Sequence, residues 1–378
     1  MNPIRYGVVG LGHRGREIGK LAAKFGYTVF AAACDLKPSN WTQTQWLSDR
    51  PLAEMFPDAV FYDDFDRMLS EADLDVVIVE TGADVHASFC AKALERGKYV
   101  LSDIPLVWSL AEAKMLWETQ KKAKRFLSTG ANPNFQKFTV MLDEYYQNGM
   151  LGKPYFMEAE YIHWSMPDNI ESVHLSENGD WRKLLIPIRY CTHSLGPLLT
   201  VLDEELRYVS CFGTGIHADP SEYSDSVPKD DMMGAQFRTE SGVVVRLTRN
   251  SRCRANIGHH NYRVFGTEGY MERIDRFDKP VIRYNFTKMD GNALHEVNGS
   301  FMPTAYENNP DAVGHDGMDY AMLDAFFCAV RDGGKAPVGI KEGLAMTLPG
   351  IYAEESAKRG GEVLKIRYPW DDDFRTEI

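Results

Sequence analysis

Glycines at three fixed places limit what this chain can become. Residues 4–15 read IRYGVVGLGHRG, an apolar run that ends in Gly10, Gly12 and Gly15, and REIGKLAAKF follows with apolar positions at helical spacing. Strand, glycine turn and helix in that order suit a bound dinucleotide. The first glycine permits the tight turn, the second removes a side chain from the path of a diphosphate, and the third lets helix and strand pack closely. The diphosphate then sits at a helix amino end, where unpaired N–H groups and the dipole favour negative charge. His13 and Arg14, inside the turn, are expected to contact it as well. A second apolar run, VFAAACD, ends at Asp35, at the spacing of a partner for a ribose 2′-hydroxyl. Its carboxylate repels a 2′-phosphate, so NAD is the expected cofactor, while Lys37 two residues later keeps NADP in view.

The same alternation continues. VFYDDFDRMLSEADLDVVIVE (60–80) gives a short strand, an amphipathic helix and a strand apolar enough for burial on both faces. The helix HASFCAKALERG closes at Gly97, YVLSD is the next strand, and the helix SLAEAKMLWETQKKAKR leads to FLSTG. The reading is a doubly wound parallel α/β sheet, a Rossmann domain, over residues 1–130. Ligands of such sheets lie beyond the carboxyl ends of the strands, which nominates Thr81, His86, Asp103 and Asn132 as cofactor contacts. His86 has a second reading, as a residue that caps or packs against its own helix.

Beyond residue 130 the rhythm changes. The helix FQKFTVMLDEYYQNG precedes strand candidates at 154–164, 206–215, 232–250 and 261–273, where β-branched or aromatic residues alternate with polar ones. This predicts a second α+β domain, an open-faced and mainly antiparallel sheet for substrate and oligomer contacts over 131–340. A carboxy-terminal helix and tail follow over 341–378. The stretch 216–231 reads as a loop, and Pro349 is expected to bend or break the late helix. An open sheet face needs covering, so a homo-oligomer is expected.

Charge and cysteine usage exclude several classes. The 378 residues carry 54 acidic against 42 basic side chains, a formal charge of −12, which disfavours a nucleic-acid partner. Six cysteines never form a CxxC pair, so neither a disulfide framework nor a cysteine metal site is indicated, and no catalytic metal is expected. No apolar run approaches the roughly 20 residues of a membrane span. The first strand starts near residue 4, leaving no room for a secretion signal, and the cytoplasm is the expected location.

Chemistry is most legible in RYCTHSLGP. Tyr190 and His193 stand three apart, and Thr192 is placed to cap a helix starting at His193, so hydroxyl and imidazole converge on one side of the turn. Histidine titrates near neutrality and can take a proton in one step and return it in another. A packed tyrosine and a capping histidine are the plainer alternative. Further candidates for substrate contact are His163, Trp164, Trp181, Arg189, His315 and Asp316; Trp164 can stack on a sugar face and Trp181 close the rim, or either can belong to the core. Asp319 either receives a hydroxyl or faces solvent. The basic cluster Arg249, Arg252, Arg254 suits an anionic sugar substituent or a solvated strand end.

With these motifs in hand, the chain resembles the family of glucose-fructose oxidoreductase, inositol dehydrogenase and MocA-like proteins. The resemblance rests on GLGHRG, VVIVETGADVH, KYVLSDIPL and the long second domain. Within it, IRYCTHSLGPLL and GHDGMDYAMLDAF resemble the NAD-dependent glycosidases of glycoside hydrolase family 109. Two departures matter. Dehydrogenases of this family carry Glu-Lys-Pro where this chain has Asp103, Ile104 and Pro105, and an aspartate four residues before the catalytic histidine where it has Arg189. An isoleucine cannot move a proton, so Tyr190, His193 or another group must do so. The resemblance implies transient oxidation of a pyranoside at C3, loss of the C2 proton with departure of the C1 group, addition of water and re-reduction. His193 is then the leading acid/base, Tyr190 the second proton carrier or orienter of the ketone oxygen, and Asp103 shapes the cofactor side. The alternative is an NAD-dependent sugar or cyclitol oxidoreductase that releases a keto product; a noncatalytic dinucleotide sensor is disfavoured by the retained Tyr190, His193 and His315.

Overall fold

Val76, Val77, Ile78 and Val79 have no solvent exposure, as their unbroken apolar run requires of a strand covered on both faces. They form β4 in a parallel sheet of β1 (Ile4–Val9), β2 (Thr28–Cys34), β3 (Val60–Tyr62), β4 (Val76–Val79), β5 (Tyr99–Ser102) and β6 (Leu127–Thr129), in the order 3-2-1-4-5-6. The order reverses between β1 and β4, whose registers run side by side from Tyr6↔Val76 to Val9↔Val79. Helices α1 (His13–Ala22), α2 (Ser39–Thr42), α3 (Leu52–Met55), α4 (Phe65–Glu71), α5 (His86–Glu95) and α6 (Leu110–Lys122) connect the strands. Their ends are chemically marked. Ser109 and Glu112 form a reciprocal capping box on α6, the Asp64 side chain accepts from Arg67 N–H at the start of α4, and Gly97, at φ +70°, follows α5. The computed structural model describes residues 2–44, 50–162, 185–217, 230–250, 260–275, 279–289 and 293–378.

The second sheet, among the described residues, has the order β14-β13-β12-β11-β7-β10-β9-β8-β15. After α7 (Lys137–Gln147) come β7 (Pro154–Tyr161), α8 (Thr192–Leu199), β8 (Leu206–Gly213), β9 (Met232–Thr239) and β10 (Val244–Asn250). They are followed by β11 (His260–Gly266), β12 (Gly269–Ile274), β13 (Val281–Phe286) and β14 (His295–Asn298). Pairing is antiparallel except between β7 and β10. Alternation is clean: Met233, Ala235, Phe237 and Thr239 of β9 are buried while Gly234, Gln236 and Arg238 are exposed. The single strand expected over 261–273 is a hairpin, turning at Thr267–Glu268, and β13 and β14 extend the sheet beyond the expected strands. The loop expected at 216–231 falls almost entirely outside the described residues.

Two compact units result, and their boundaries differ from the expected division. Residues 1–131 and 306–344 form one; 132–305 and 345–376 form the other. The reason is aromatic packing. In α9 (Met318–Asp332), Phe327 meets Tyr6 and Phe25 at 5.9 and 5.8 Å, and Phe326 meets Phe126 edge-on, so this segment joins the core of the parallel sheet. Residues 345–376 return to the second sheet through β15 (Leu364–Lys365), which pairs with β8. The helix α10 (Ile340–Lys358) continues through Pro349 rather than breaking there. A proline removes one backbone hydrogen bond, and burial of Leu344, Met346, Leu348, Tyr352 and Ala353 along this helix offsets that loss. Among the described residues, no helix is long and apolar enough to cross a membrane.

Candidate functional site

The glycine turn has the geometry its spacing demands. Gly10 sits at φ +87°, and a Cβ there would lie 2.6 Å from the Glu80 carbonyl oxygen. A Cβ on Gly15 would run into the Gly10 carbonyl, so α1 packs against the turn only because that side chain is absent. Gly12 differs: among the described residues, no atom lies within 4 Å of a Cβ placed there. The packing of the protein gives no reason for glycine at 12, whereas a diphosphate approaching the amino end of α1 does. At the other end of the dinucleotide path, Asp35 follows β2. Its Oδ2 accepts from Leu11 N–H at 2.6 Å and its Oδ1 from Lys37 N–H at 2.8 Å, which fixes the carboxylate beside the turn. These residues fit NAD.

Beyond the carboxyl ends of β1, β4 and β5 lies a charged cluster built around Arg14. Its guanidinium donates to Asp319 Oδ2 at 2.5 Å and Oδ1 at 2.8 Å, and its Nε stands 4.0 Å from Glu80. Asp319 is 2% exposed, so it does not face solvent from α9 as one reading allowed. Burial by itself raises a carboxyl, yet the Arg14 charge and hydrogen bonds from Arg14 and His315 hold Asp319 far below the usual carboxylate range. Glu80 behaves oppositely: burial, then the neighbouring Asp103 charge, push it well above its ordinary value despite Arg14. Such a carboxyl favours its protonated form.

His315 donates from Nδ1 to Asp319 Oδ2 at 2.8 Å, while Arg14 Nη1 lies 3.2 Å from the same nitrogen. The backbone here is unusual. Gly314, His315, Asp316 and Gly317 all have positive φ, at 83°, 43°, 55° and 84°. For the two non-glycine residues this costs about 1–2 kcal/mol each, and a left-handed run of this kind persists where surrounding contacts impose it. The Asp319 carboxylate supplies one such constraint, lying where a Gly314 side chain would be.

The second unit holds the tyrosine and histidine singled out by the sequence. A 3-10 turn over Pro187–Arg189 delivers Tyr190, and α8 begins at Thr192 with Cys191 as its cap, so Thr192 is the first helical residue and not the capping side chain. Tyr190 OH and His193 Nε2 lie 3.4 Å apart, with the rings edge to face at 5.1 Å. Neighbours hold both groups. Tyr262 OH donates to the His193 carbonyl at 2.7 Å, His260 stacks on Tyr161 at 4.3 Å, and His260 meets His193 edge-on. The Arg249 guanidinium lies over Tyr161 at 4.1 Å and Tyr190 at 5.6 Å while donating to the Tyr161 and Asn250 carbonyls. As a set, these groups can accept, return and orient a proton.

Other expected residues fall elsewhere. His86 is fully buried, and Nδ1 and Nε2 each lie 2.9 Å from a carbonyl oxygen, of Pro105 and Thr81. That leaves neither ring nitrogen for a ligand, and its packing role prevails over the expected cofactor contact. Arg189 pairs with Glu354 at 3.2 Å, which commits its charge inside the unit instead of to a substrate. Asn132 is buried and opens the 3-10 turn Asn132–Phe135 of the second unit. Thr81 is half-buried, with its Oγ1 3.4 Å from the Gly82 carbonyl. His163, Trp164, Trp181, Arg252 and Arg254 lie outside the described residues. Sequence reasoning missed Glu80, Tyr161 and Tyr262 as members of these clusters. Glu80 carried a usable signal, an acid closing an otherwise apolar central strand; the tyrosines carried none, because alternation alone does not separate a core ring from one beside a proton carrier.

Comparison with known proteins agrees with this fold. A family model described as an oxidoreductase family with an NAD-binding Rossmann fold matches residues 4–131, and one for the GFO/IDH/MocA C-terminal domain matches 139–272. The chain is 22% identical to a glycosyl hydrolase family 109 protein of Shewanella pealeana, over 94% of this chain and 83% of that one. It is 24% identical to glycosyl hydrolase family 109 protein 1 of Bacteroides fragilis, over 88% and 78%. Among solved structures, scyllo-inositol dehydrogenase from Lactobacillus casei with NAD(H) and scyllo-inositol superposes with a TM-score of 0.72 at 16% identity, covering 96% of this chain and 99% of that one. A levoglucosan dehydrogenase with NADH and levoglucosan gives 0.76 at 16% identity, covering 97% and 100%. Matched through both of its units, the chain belongs to the GFO/IDH/MocA oxidoreductase family and is an NAD-dependent enzyme.

Proposed function

We propose that the protein is an NAD-dependent glycosidase that cleaves a pyranoside without net oxidation. The Tyr190–His193 pair carries the reading, a proton-transfer couple in a chain whose family lysine is replaced by Ile104. The glycosyl hydrolase family 109 relatives support it. When bound, NAD supplies reversible hydride removal at C3 of the sugar. The C2 proton beside a C3 ketone is acidified, because the charge left behind is shared with the carbonyl oxygen. His193 takes that proton as the C1 group departs and returns it after water has added. Tyr190 orients the ketone oxygen or relays the second proton, with the Arg249 guanidinium 5.6 Å from its ring. Asp103, whose N–H is fixed to the Val79 carbonyl, shapes the cofactor side together with Glu80 and Arg14. This route needs proton carriers rather than the paired carboxylates of direct acetal hydrolysis.

His163, Trp164, Trp181 and Asp316 remain the proposed sugar contacts. An anionic substituent is a narrower proposal, since Arg249 already serves two carbonyls and two rings. A homo-oligomer is proposed through the open face of the second sheet, where Glu158, Arg263, Glu272, Arg283 and Glu296 form a ladder of ion pairs beside half-buried Phe156 and Phe265. The likeness to sugar and cyclitol dehydrogenases favours one other reading, a net oxidoreductase. Incubating a panel of glycosides with a catalytic amount of NAD separates the two. Free sugar without accumulating NADH supports the glycosidase; stoichiometric NADH with the glycosidic bond intact supports the oxidoreductase and overturns the proposal.

A further inference from the structure

We propose that the Gly314–Gly317 turn is a retention clasp for the dinucleotide, with the His315 imidazole closing on the diphosphate at the amino end of α1. Three observations converge on it. First, Arg14 belongs to the first turn of α1, and its side chain is bound bidentately by Asp319, so the turn that carries His315 is tied to the helix that receives the diphosphate. Second, the same Asp319 carboxylate takes the Nδ1 proton of His315, which sets the ring and leaves Nε2 as the nitrogen for a ligand. The imidazole is 58% exposed although its carboxylate partner is buried, the pattern of a side chain held for contact rather than packed. Third, four successive left-handed residues hold it there, a backbone that favours glycine, with histidine and aspartate among the few other types that tolerate it. His13, the first residue of α1, is lowered by burial and feels the charges of Arg14 and His315, so two imidazoles flank this helix end.

The ligand chemistry is that of a diphosphate diester. A protonated Nε2 donates to an oxyanion already held by backbone N–H groups. An enzyme that returns its hydride in every turnover gains from slow cofactor release. The clasp rests on NAD binding by the Rossmann unit and not on the glycosidase reading, so it can fail or stand independently of that reading.

The test measures release of bound NADH, by loss of its protein-bound fluorescence on mixing with excess NAD, in wild type, His315→Asn and Asp319→Asn. Asparagine tolerates the left-handed backbone, so H315N deletes the imidazole while keeping the turn. H315N is expected to release NADH at least fivefold faster with an unchanged near-ultraviolet circular dichroism spectrum, and D319N faster still because Arg14 is also released. H315N is the deciding variant, since its side chain is largely exposed and D319N perturbs a buried pair. Release from H315N within twofold of wild type overturns the clasp whatever D319N does.

Discussion

Alanine at Gly12 and alanine at Gly10 should do opposite things, because one glycine serves the ligand and the other serves the chain. Gly12 has φ −62° and ψ −173°, a conformation open to alanine, and no atom of the described residues lies within 4 Å of the added carbon. G12A should therefore leave stability unchanged or raise it by about 0.4–1 kcal/mol through a stiffer unfolded chain. The same methyl group occupies the approach of the diphosphate, so NAD affinity should fall at least tenfold, a loss of about 1.4 kcal/mol or more. Gly10 presents the reverse case. Alanine there must hold φ +87°, costing about 1–2 kcal/mol, with its Cβ 2.6 Å from the Glu80 carbonyl oxygen and 2.8 Å from Thr81 N, both main-chain atoms that cannot move aside cheaply. Adding displacement of β4, we expect a loss of about 2–4 kcal/mol. At about 2–4 °C per kcal/mol for a unit of this size, that lowers the melting transition of the dinucleotide unit by roughly 4–16 °C. Calorimetry of the apo protein and a fluorescence titration with NADH read the two quantities separately. Wild-type NADH affinity in G12A would refute the assignment of the diphosphate to this turn, and an unshifted transition in G10A would refute the steric argument.

Other consequences follow from the two clusters. His193→Ala should lower glycoside turnover by about 10²–10⁴-fold, the usual range for general acid–base catalysis, with the NAD dissociation constant within twofold of wild type; near-normal turnover moves the proton role to Tyr190 or another group. Arg249→Met should cost about 0.5–2 kcal/mol in thermal unfolding, because the cation over the Tyr161 and Tyr190 rings is gone; an unshifted transition detaches Arg249 from the support of this cluster. Glu80 is raised in the folded state, so the stability it contributes is complete below its ordinary value of 4.5 and is lost as pH rises through its folded value. Glu80→Gln should therefore flatten a decline in wild-type stability with rising pH, seen in urea unfolding at a series of pH values, and equal slopes for the two proteins contradict a protonated Glu80.

The parallel sheet was legible because its signals are local. Apolar runs mark strands covered on both faces, and Gly10, Gly12, Gly15 and the acid at 35 stand at the fixed spacings of a strand–turn–helix–strand unit. The pairing of Tyr190 with His193 was legible for the same reason, since three residues of chain bring the groups together at a helix start. What escaped was long-range. Nothing in MDYAMLDAFF says that its phenylalanines complete the core around Tyr6, more than 300 positions earlier, so residues 306–340 read as part of the second domain although they pack with the parallel sheet. Asp319 read equally well as a solvent-facing helix residue until Arg14 supplied its partner. Pro349 illustrates the limit of a local rule, because tertiary burial along α10 outweighs one missing hydrogen bond. The hairpin at Thr267–Glu268 escaped since Thr-Glu-Gly lacks the strong Asn-Gly or Asp-Gly turn signal.

The central claim is that an oxidised C3 activates C2, and solvent exchange addresses it directly. A cleaved glycoside, incubated in deuterated water with the enzyme and a catalytic amount of NAD, should yield free sugar carrying deuterium at C2, while its 3-deoxy and 3-O-methyl analogues remain intact. Free sugar with ordinary hydrogen at C2, released equally from substrates lacking the C3 hydroxyl, would contradict the account.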